Sequence, residues 1–140
     1  MGPRACGRDW YVAGQMRDHK TIIAWQVAHE VARAALRSCR TRWKPYAAAL
    51  FDQLQRSSLS VQLNIAEGYA LRAPARFRYH LEVAYGSAVE TGELLELALT
   101  EEILPEAEVH VMLEKCRLSQ YLLLGLLRRY RPPQSSRPHG

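Results

Sequence analysis

The chain has 140 residues, a net charge of +5 and a pI near 9.4, a size that buries a core without disulfides or a structural metal and reads as one domain. No apolar run approaches the ~20 residues that cross a bilayer, and Pro3, Arg4, Arg8 and Asp9 break up any signal-peptide stretch at the start, so a cytoplasmic protein without a membrane partner is expected. Cys6, Cys39 and Cys116 are odd in number and widely spaced, which fits neither a disulfide framework nor a zinc site and points to reduced thiols.

Residues 1–19 mix Gly2, Pro3, Gly7 and Gly14 with charges and show no helical period, so they read as a flexible arm, with Trp10, Tyr11 and Val12 as its only docking candidates. The spacing of Trp25, Ala28, Ala32, Ala35 and Cys39 predicts a first helix from Thr21 to about Arg42. Its other side carries Arg33, Arg37 and Arg40 in one stripe. Lys44 and Pro45 close it.

The second segment, from Tyr46 to Gly68, contains a conflict. Ser58 to Ile65 alternates polar and apolar as a strand does, yet Ala47, Ala48, Ala49 and Leu50 favour helix and no turn residue separates the two stretches. Read as a helix, it has two apolar stripes. Leu50, Leu54, Ser58, Val61 and Ile65 form one, and Phe51, Leu59, Leu63 and Ala66 form the other, roughly 120–140° away at 100° per residue. A helix in a four-helix bundle buries about one face, so the second stripe predicts a homo-oligomer interface through Phe51, Leu59 and Leu63, unless this is simply the most central helix of a monomer.

A third helix is predicted over about Ala75–Glu101, with Phe77, Leu81, Ala84, Ala88, Leu95 and Ala98 inward and Glu82, Glu93 and Glu96 elsewhere. Residues 70–104 are the one stretch in which acids outnumber bases. Pro105, Glu106 and Glu108 open the fourth helix and Arg128, Arg129 and Arg131 end it, complementing the helix dipole at both ends. Its core stripe is Val109, Met112, Cys116, Ser119, Leu123, Leu126 and Tyr130. Residues 132–140, PPQSSRPHG, read as a disordered tail. The fold class is therefore all-α, with one domain over residues 20–131.

Catalytic and metal chemistry find no pattern here. A di-iron bundle needs Glu-x-x-His pairs, but Gln26, Phe77 and Ala107 stand three residues before His29, His80 and His110. No phosphate loop, nucleophile elbow or Cys-x-x-Cys occurs. The expectation is a protein that is not an enzyme and holds no metal or cofactor.

The run Gln53, Leu54, Gln55, Arg56, followed by Ser60, Val61, Gln62, Leu63, Asn64, Ile65, Ala66, Glu67 and Gly68, resembles the family of proteins encoded within intervening sequences of 23S ribosomal RNA genes, whose pattern is close to QxxRxxxSxxxNIAEG. Phe77, Leu81, Ala84, Gly86, Ser87 and Glu90 are similar to the family's second motif, and Lys20, Trp25 and Ala28 to its opening KxxxxWxxA, so the resemblance covers about residues 20–131. The chain departs from the family at Trp43, Lys44, Pro45 and Tyr46, where a Phe-Pro turn with an acidic residue is usual. The resemblance implies an antiparallel, up-down four-helix bundle assembling as a ring-shaped homopentamer, with no assigned enzymatic activity and a nucleic-acid role. A more distant likeness to the accessory protein of diversity-generating retroelements adds a reverse transcriptase as a partner by analogy.

The motif residues also have physical readings of their own. Gly68 suits a left-handed position that stops the second helix. Asn64 and Glu67 sit one turn apart, where a register-fixing polar network with Arg56, Arg72 or a neighbouring helix end and a ligand site are the alternatives. Gly86 and Ser87, with Ala84 and Ala88, form a small-residue patch for close helix approach. Arg33, Arg37, Arg40, Arg42, Lys44, Arg56, Arg72 and Arg76 are the candidates for binding RNA or DNA phosphates. The competing reading is a solvated basic face, or one paired with the acidic third helix of a neighbouring subunit.

Overall fold

The structure, a computed structural model, describes residues 18–131. The predicted tail and all but the last two residues of the predicted arm lie outside the described residues, as do Cys6, Trp10, Tyr11 and Val12. Among the described residues there are four α-helices and no strand: α1 Ile23–Arg42, α2 Ala48–Ala70, α3 Pro74–Thr100 and α4 Glu106–Arg129, with short 3-10 turns at His19–Thr21 and Pro45–Ala47.

Local chemistry accounts for the boundaries. Asp18 caps the first 3-10 turn, its Oδ1 accepting from the Lys20 amide at 3.1 Å. Pro45 and Pro74 each sit at the start of an element, where a missing N–H removes no helical bond. α3 stops in a Schellman arrangement: Glu102 takes φ 53°, the Ile103 amide bonds back to the Ala98 carbonyl, and the Glu102 amide to Leu99.

The alternating stretch Ser58–Ile65 is helical. Its serines are accommodated because Ser57 and Ser58 donate back to the carbonyls of Leu54 and Gln55 at 3.3 and 3.1 Å, so buried hydroxyls are satisfied without a strand ladder. Leu54, Ser58, Val61 and Ile65 all face the core.

Each helix packs against two neighbours, α1 on α2 and α4, and α3 on α2 and α4. Contacts fix the registers. His29 meets Gln62 and Cys39 meets Phe51 across α1 and α2, while Asn64 meets His80 and Ser57 meets Thr91 across α2 and α3. Leu127 meets Arg78 and Cys116 meets Ala88 across α3 and α4, and Glu108 meets Ser38 and Lys115 meets Glu30 across α4 and α1.

The interior is divided along its length. One apolar cluster gathers Cys39, Phe51, Leu54, Leu95, Val109 and Met112, and another gathers Ala28, Ile65, Phe77, Leu81 and Leu123. Between them lies a waist of small and polar groups contributed by all four helices, Val31, Ser58, Thr91, Cys116 and Ser119 among them. There Thr91 donates to Ser57 at 2.9 Å, and Cys116 to the Ala88 carbonyl at 3.1 Å.

Three sequence expectations change. Gly68 does not stop α2, which continues to Ala70; Gly68 is buried, and a Cβ there would lie 2.6 Å from His80 Cβ. It is a close-approach glycine, and the left-handed residue after α2 is Arg72, at φ 51°. Gly86 has the reverse fate: it is exposed, and a Cβ there would have nothing within 4 Å among the described residues, so none of the four helices packs closely on it. Phe51 is 0 % exposed in the core and cannot line an interface as the second stripe predicted; that stripe is outward only from Leu59, half-buried, to Leu63, 56 % exposed.

Candidate functional site

The basic candidates fall into separate groups. Arg33, Arg37 and Arg40 lie on one exposed face of α1 because that helix turns Ala28, Val31, Ala32, Ala35 and Cys39 inward. None of the three forms an ion pair among the described residues. Arg42, two residues further, is engaged: its Nη2 lies 2.8 Å from Glu108 Oε1, and Ser38 donates to the same carboxylate at 2.9 Å. Those contacts, the Arg42 hydrogen bond foremost, hold the Glu108 carboxyl below its ordinary value of 4.5. Lys44 donates to the Ile103 carbonyl at 3.3 Å and ties the α1–α2 connection to the α3–α4 connection.

The remaining candidates are not part of that cluster. Arg56 is matched by Asp52 one turn earlier at 2.9 Å. Arg72 and Arg76 are exposed, but they stand at the far end of α2, a helix of 23 residues that spans about 34 Å at 1.5 Å per residue. Arg78 is half-buried, donates to the Leu127 carbonyl and pairs with Glu82, which makes it a packing residue. On the same α4 side as Arg42, Lys115 and Glu30 pair at 2.8 Å, and the Lys115 hydrogen bond and charge lower the Glu30 pKa, with Arg33 a smaller contributor.

The motif residues of α2 build a polar seam against α3. Asn64 Nδ2 donates to the Ser60 carbonyl at 2.8 Å, its Oδ1 meets His80 Nδ1 at 2.9 Å, and Ser60 Oγ meets Ser87 Oγ at 2.8 Å. The network therefore exists with partners other than the arginines expected from sequence. Glu67 takes no part in it and is exposed. Gln53 reaches Glu90 at the other end of the same helix pair. Chemically the seam is a set of saturated hydrogen bonds, with no serine placed against a histidine. Cys39 and Cys116 are free and buried, and burial pushes the Cys39 thiol up to about 11 and raises that of Cys116, so both stay protonated. Among the described residues no three potential metal ligands come together, and no helix is long and apolar enough to cross a membrane.

Two clefts flank the end of α1, and Thr41 and Arg42 line both. One, of about 570 Å³, opens between α1 and α4 with Ala34, Arg37, Val111 and Met112 on its walls. The other, of about 590 Å³, lies at the end of the bundle against Trp43, Lys44, Leu99, Ile103 and Pro105. Trp43 and Tyr46, which in sequence are only departures from a family turn, stand exposed here at 56 % and 75 %. No helical period governs a five-residue connection, so periodicity carried no signal for them.

Comparison with known proteins agrees with this architecture. A crystal structure of a protein of unknown function from the S23 ribosomal protein family of Bacteroides thetaiotaomicron VPI-5482 superposes with a TM-score of 0.68 at 20% identity, covering 76% of this chain and 99% of its own. At that identity the likeness is one of fold. No curated protein matches the chain. Residues 20–125 match the family described as 23S rRNA-intervening sequence protein. With that match covering most of the chain and reaching into all four helices, the chain belongs to the 23S rRNA-intervening sequence protein family.

Proposed function

We propose that this protein is a non-enzymatic, oligomeric accessory protein of the cytoplasm that binds nucleic acid, RNA foremost, through the basic face of α1. The observation that carries the reading is the contrast within one set of arginines. Arg42, Arg56 and Arg78 each form an ion pair, whereas Arg33, Arg37 and Arg40 stand exposed in one row and form none among the described residues, the charge of Glu30 lying near Arg33 without pairing to it. Exposed guanidinium groups in a row can take phosphates bidentately, each offering a planar fork of donors. The family's link to 23S rRNA intervening sequences supports RNA as the ligand.

The contact registers support an antiparallel, up-down bundle, and the resemblance supports its assembly as a ring-shaped homopentamer. Leu63, Tyr79, Val111, Leu118 and Tyr121 are large apolar side chains left outside the core. Gly86 and Gly125 lie inside helices with open space around them, a placement that costs a helix about 1 kcal/mol each and that a closely approaching second copy would explain. In a ring, each α1 stripe recurs on every subunit, and weak phosphate contacts sum through multivalency.

The same exposed apolar groups favour a second reading, a scaffold that presents a pentameric ring to an enzyme such as a reverse transcriptase. Gel-shift titrations of generic RNA across a salt series separate the two. Phosphate-driven binding weakens steeply with salt, and changing Arg33, Arg37 and Arg40 together to Glu should abolish it. Binding that survives the triple substitution removes the stripe from the site, and no affinity for RNA at physiological salt leaves the scaffold.

A further inference from the structure

From the connection between α1 and α2 we infer that the ligand is single-stranded nucleic acid, with unpaired bases stacking on Trp43 and Tyr46 while the arginines of α1 hold the phosphates. The inference rests on the proposed nucleic-acid function and specifies the form of its ligand. Trp43 and Tyr46 follow directly on the free arginine stripe, Arg40 being three residues before Trp43, less than one helical turn. Both rings are more than half exposed, although aromatic side chains of this size ordinarily bury most of their surface.

The connection holds them in a fixed frame. Pro45 restricts the backbone, the Ala47 amide bonds to the Lys44 carbonyl at 3.0 Å, Ala47 is buried, and Lys44 is tied to Ile103. Trp43 lines the end cleft, a mixed polar and apolar recess in which Leu99, Ile103 and Pro105 stand beside the indole. Glu102 and Glu106 also line that cleft and balance the charges of Arg42 and Lys44 there, so it offers phosphate no net positive charge and the backbone track falls to Arg37 and Arg40. Aromatic platforms beside a basic track are the recognition chemistry of single strands, because every base offers a stacking face once it is unpaired. A duplex, with its bases already stacked, can use only the arginines.

The test compares a fluorescein-labelled single-stranded RNA with a hairpin duplex of equal phosphate number, by anisotropy at fixed salt. The wild type should prefer the single strand. Trp43→Ala and Tyr46→Ala should each weaken single-strand binding about 10-fold, leave duplex binding unchanged, and melt as the wild type does because neither ring is in the core. Trp43→Phe should recover most of the loss. Equal losses on both ligands, or no loss on either, would overturn the stacking while the loss of all binding in the α1 triple Arg→Glu variant kept the nucleic-acid function. A wild type that binds neither ligand overturns both. A change of mass by light scattering in the alanine variants would assign the two rings to a subunit contact and overturn the inference too.

Discussion

Replacing Gly68 with alanine probes how closely α2 and α3 approach. A Cβ at that position lies 2.6 Å from His80 Cβ and 3.1 Å from Phe77 Cδ2, against about 3.5–4.0 Å for relaxed carbon contacts. His80 Cβ is fixed to the backbone of α3 and Phe77 is buried in the core, so neither swings aside and the helices must part by roughly 1 Å. Overpacking of this kind costs about 1–3 kcal/mol. Parting the helices also stretches the 2.9 Å bond between Asn64 and His80, worth about 1 kcal/mol, while the higher helix propensity of alanine returns about as much. The net loss of about 1–3 kcal/mol corresponds to a fall in Tm of roughly 4–12 °C for a folded region of this size. Gly86→Ala is the control, since its new methyl group meets nothing within 4 Å and should raise the Tm of the protomer by a few degrees. Thermal unfolding followed by circular dichroism, with mass checked by light scattering, measures both. A Gly68→Ala variant that melts at or above wild type refutes the close approach.

Arg72 holds a left-handed conformation at φ 51°, which disfavours any residue with a Cβ, so Arg72→Gly should stabilise by about 0.5–1 kcal/mol in denaturant titration; a loss would mean that the side chain makes a contact of its own. Glu108 has a folded pKa below its ordinary 4.5, so its stabilisation is fully present above that value and is lost as pH falls through the folded pKa. Melting curves taken from neutral pH into acid should therefore fall less steeply for Glu108→Gln than for wild type, and identical curves would sink the assignment. Ser119 Oγ is buried and finds no hydrogen-bond partner among the described residues, whereas the Thr91 hydroxyl lies within hydrogen-bond reach of both the Ser57 hydroxyl and the Ser87 carbonyl. Ser119→Ala should accordingly be neutral or stabilising by up to about 1 kcal/mol, and Thr91→Val should cost about 1–2 kcal/mol; the opposite order in urea titrations would contradict the arrangement of the waist.

How far these features were legible in the sequence depends on what kind of information each one needs. The inward faces were legible because a period of 3.6 residues is a local property: Ala28, Ala32, Ala35 and Cys39, or Val109, Met112 and Cys116, lie inside as their spacing predicts. So were the dipole-complementing ends of α4, where Glu106, Glu108, Arg128 and Arg129 stand as expected. Phe51 was misjudged because its angular position on α2 was read against a fixed burial width of one face, yet near the start of α2 the returning α1 and the α3–α4 connection, through Cys39, Ile103 and Leu104, widen the buried arc. Gly68 and Gly86 were exchanged for a related reason. A helix-interior glycine can serve as a stop, a close contact or an outward gap, and only the distance to the next helix decides among these; for Gly68 that distance is set by Phe77 and His80, nine and twelve residues further along the chain. The arginines show the same limit from the functional side. Eight basic residues look equivalent in a string, but Glu108 lies 66 residues beyond Arg42 and engages it, while Asp52 engages Arg56 four residues away. Local spacing could find only the second. Of the six that remain, Lys44 is tied to the Ile103 carbonyl and Arg72 and Arg76 stand at the other end of α2, which leaves Arg33, Arg37 and Arg40, leading into Trp43, as the one row whose charge no ion pair takes up among the described residues.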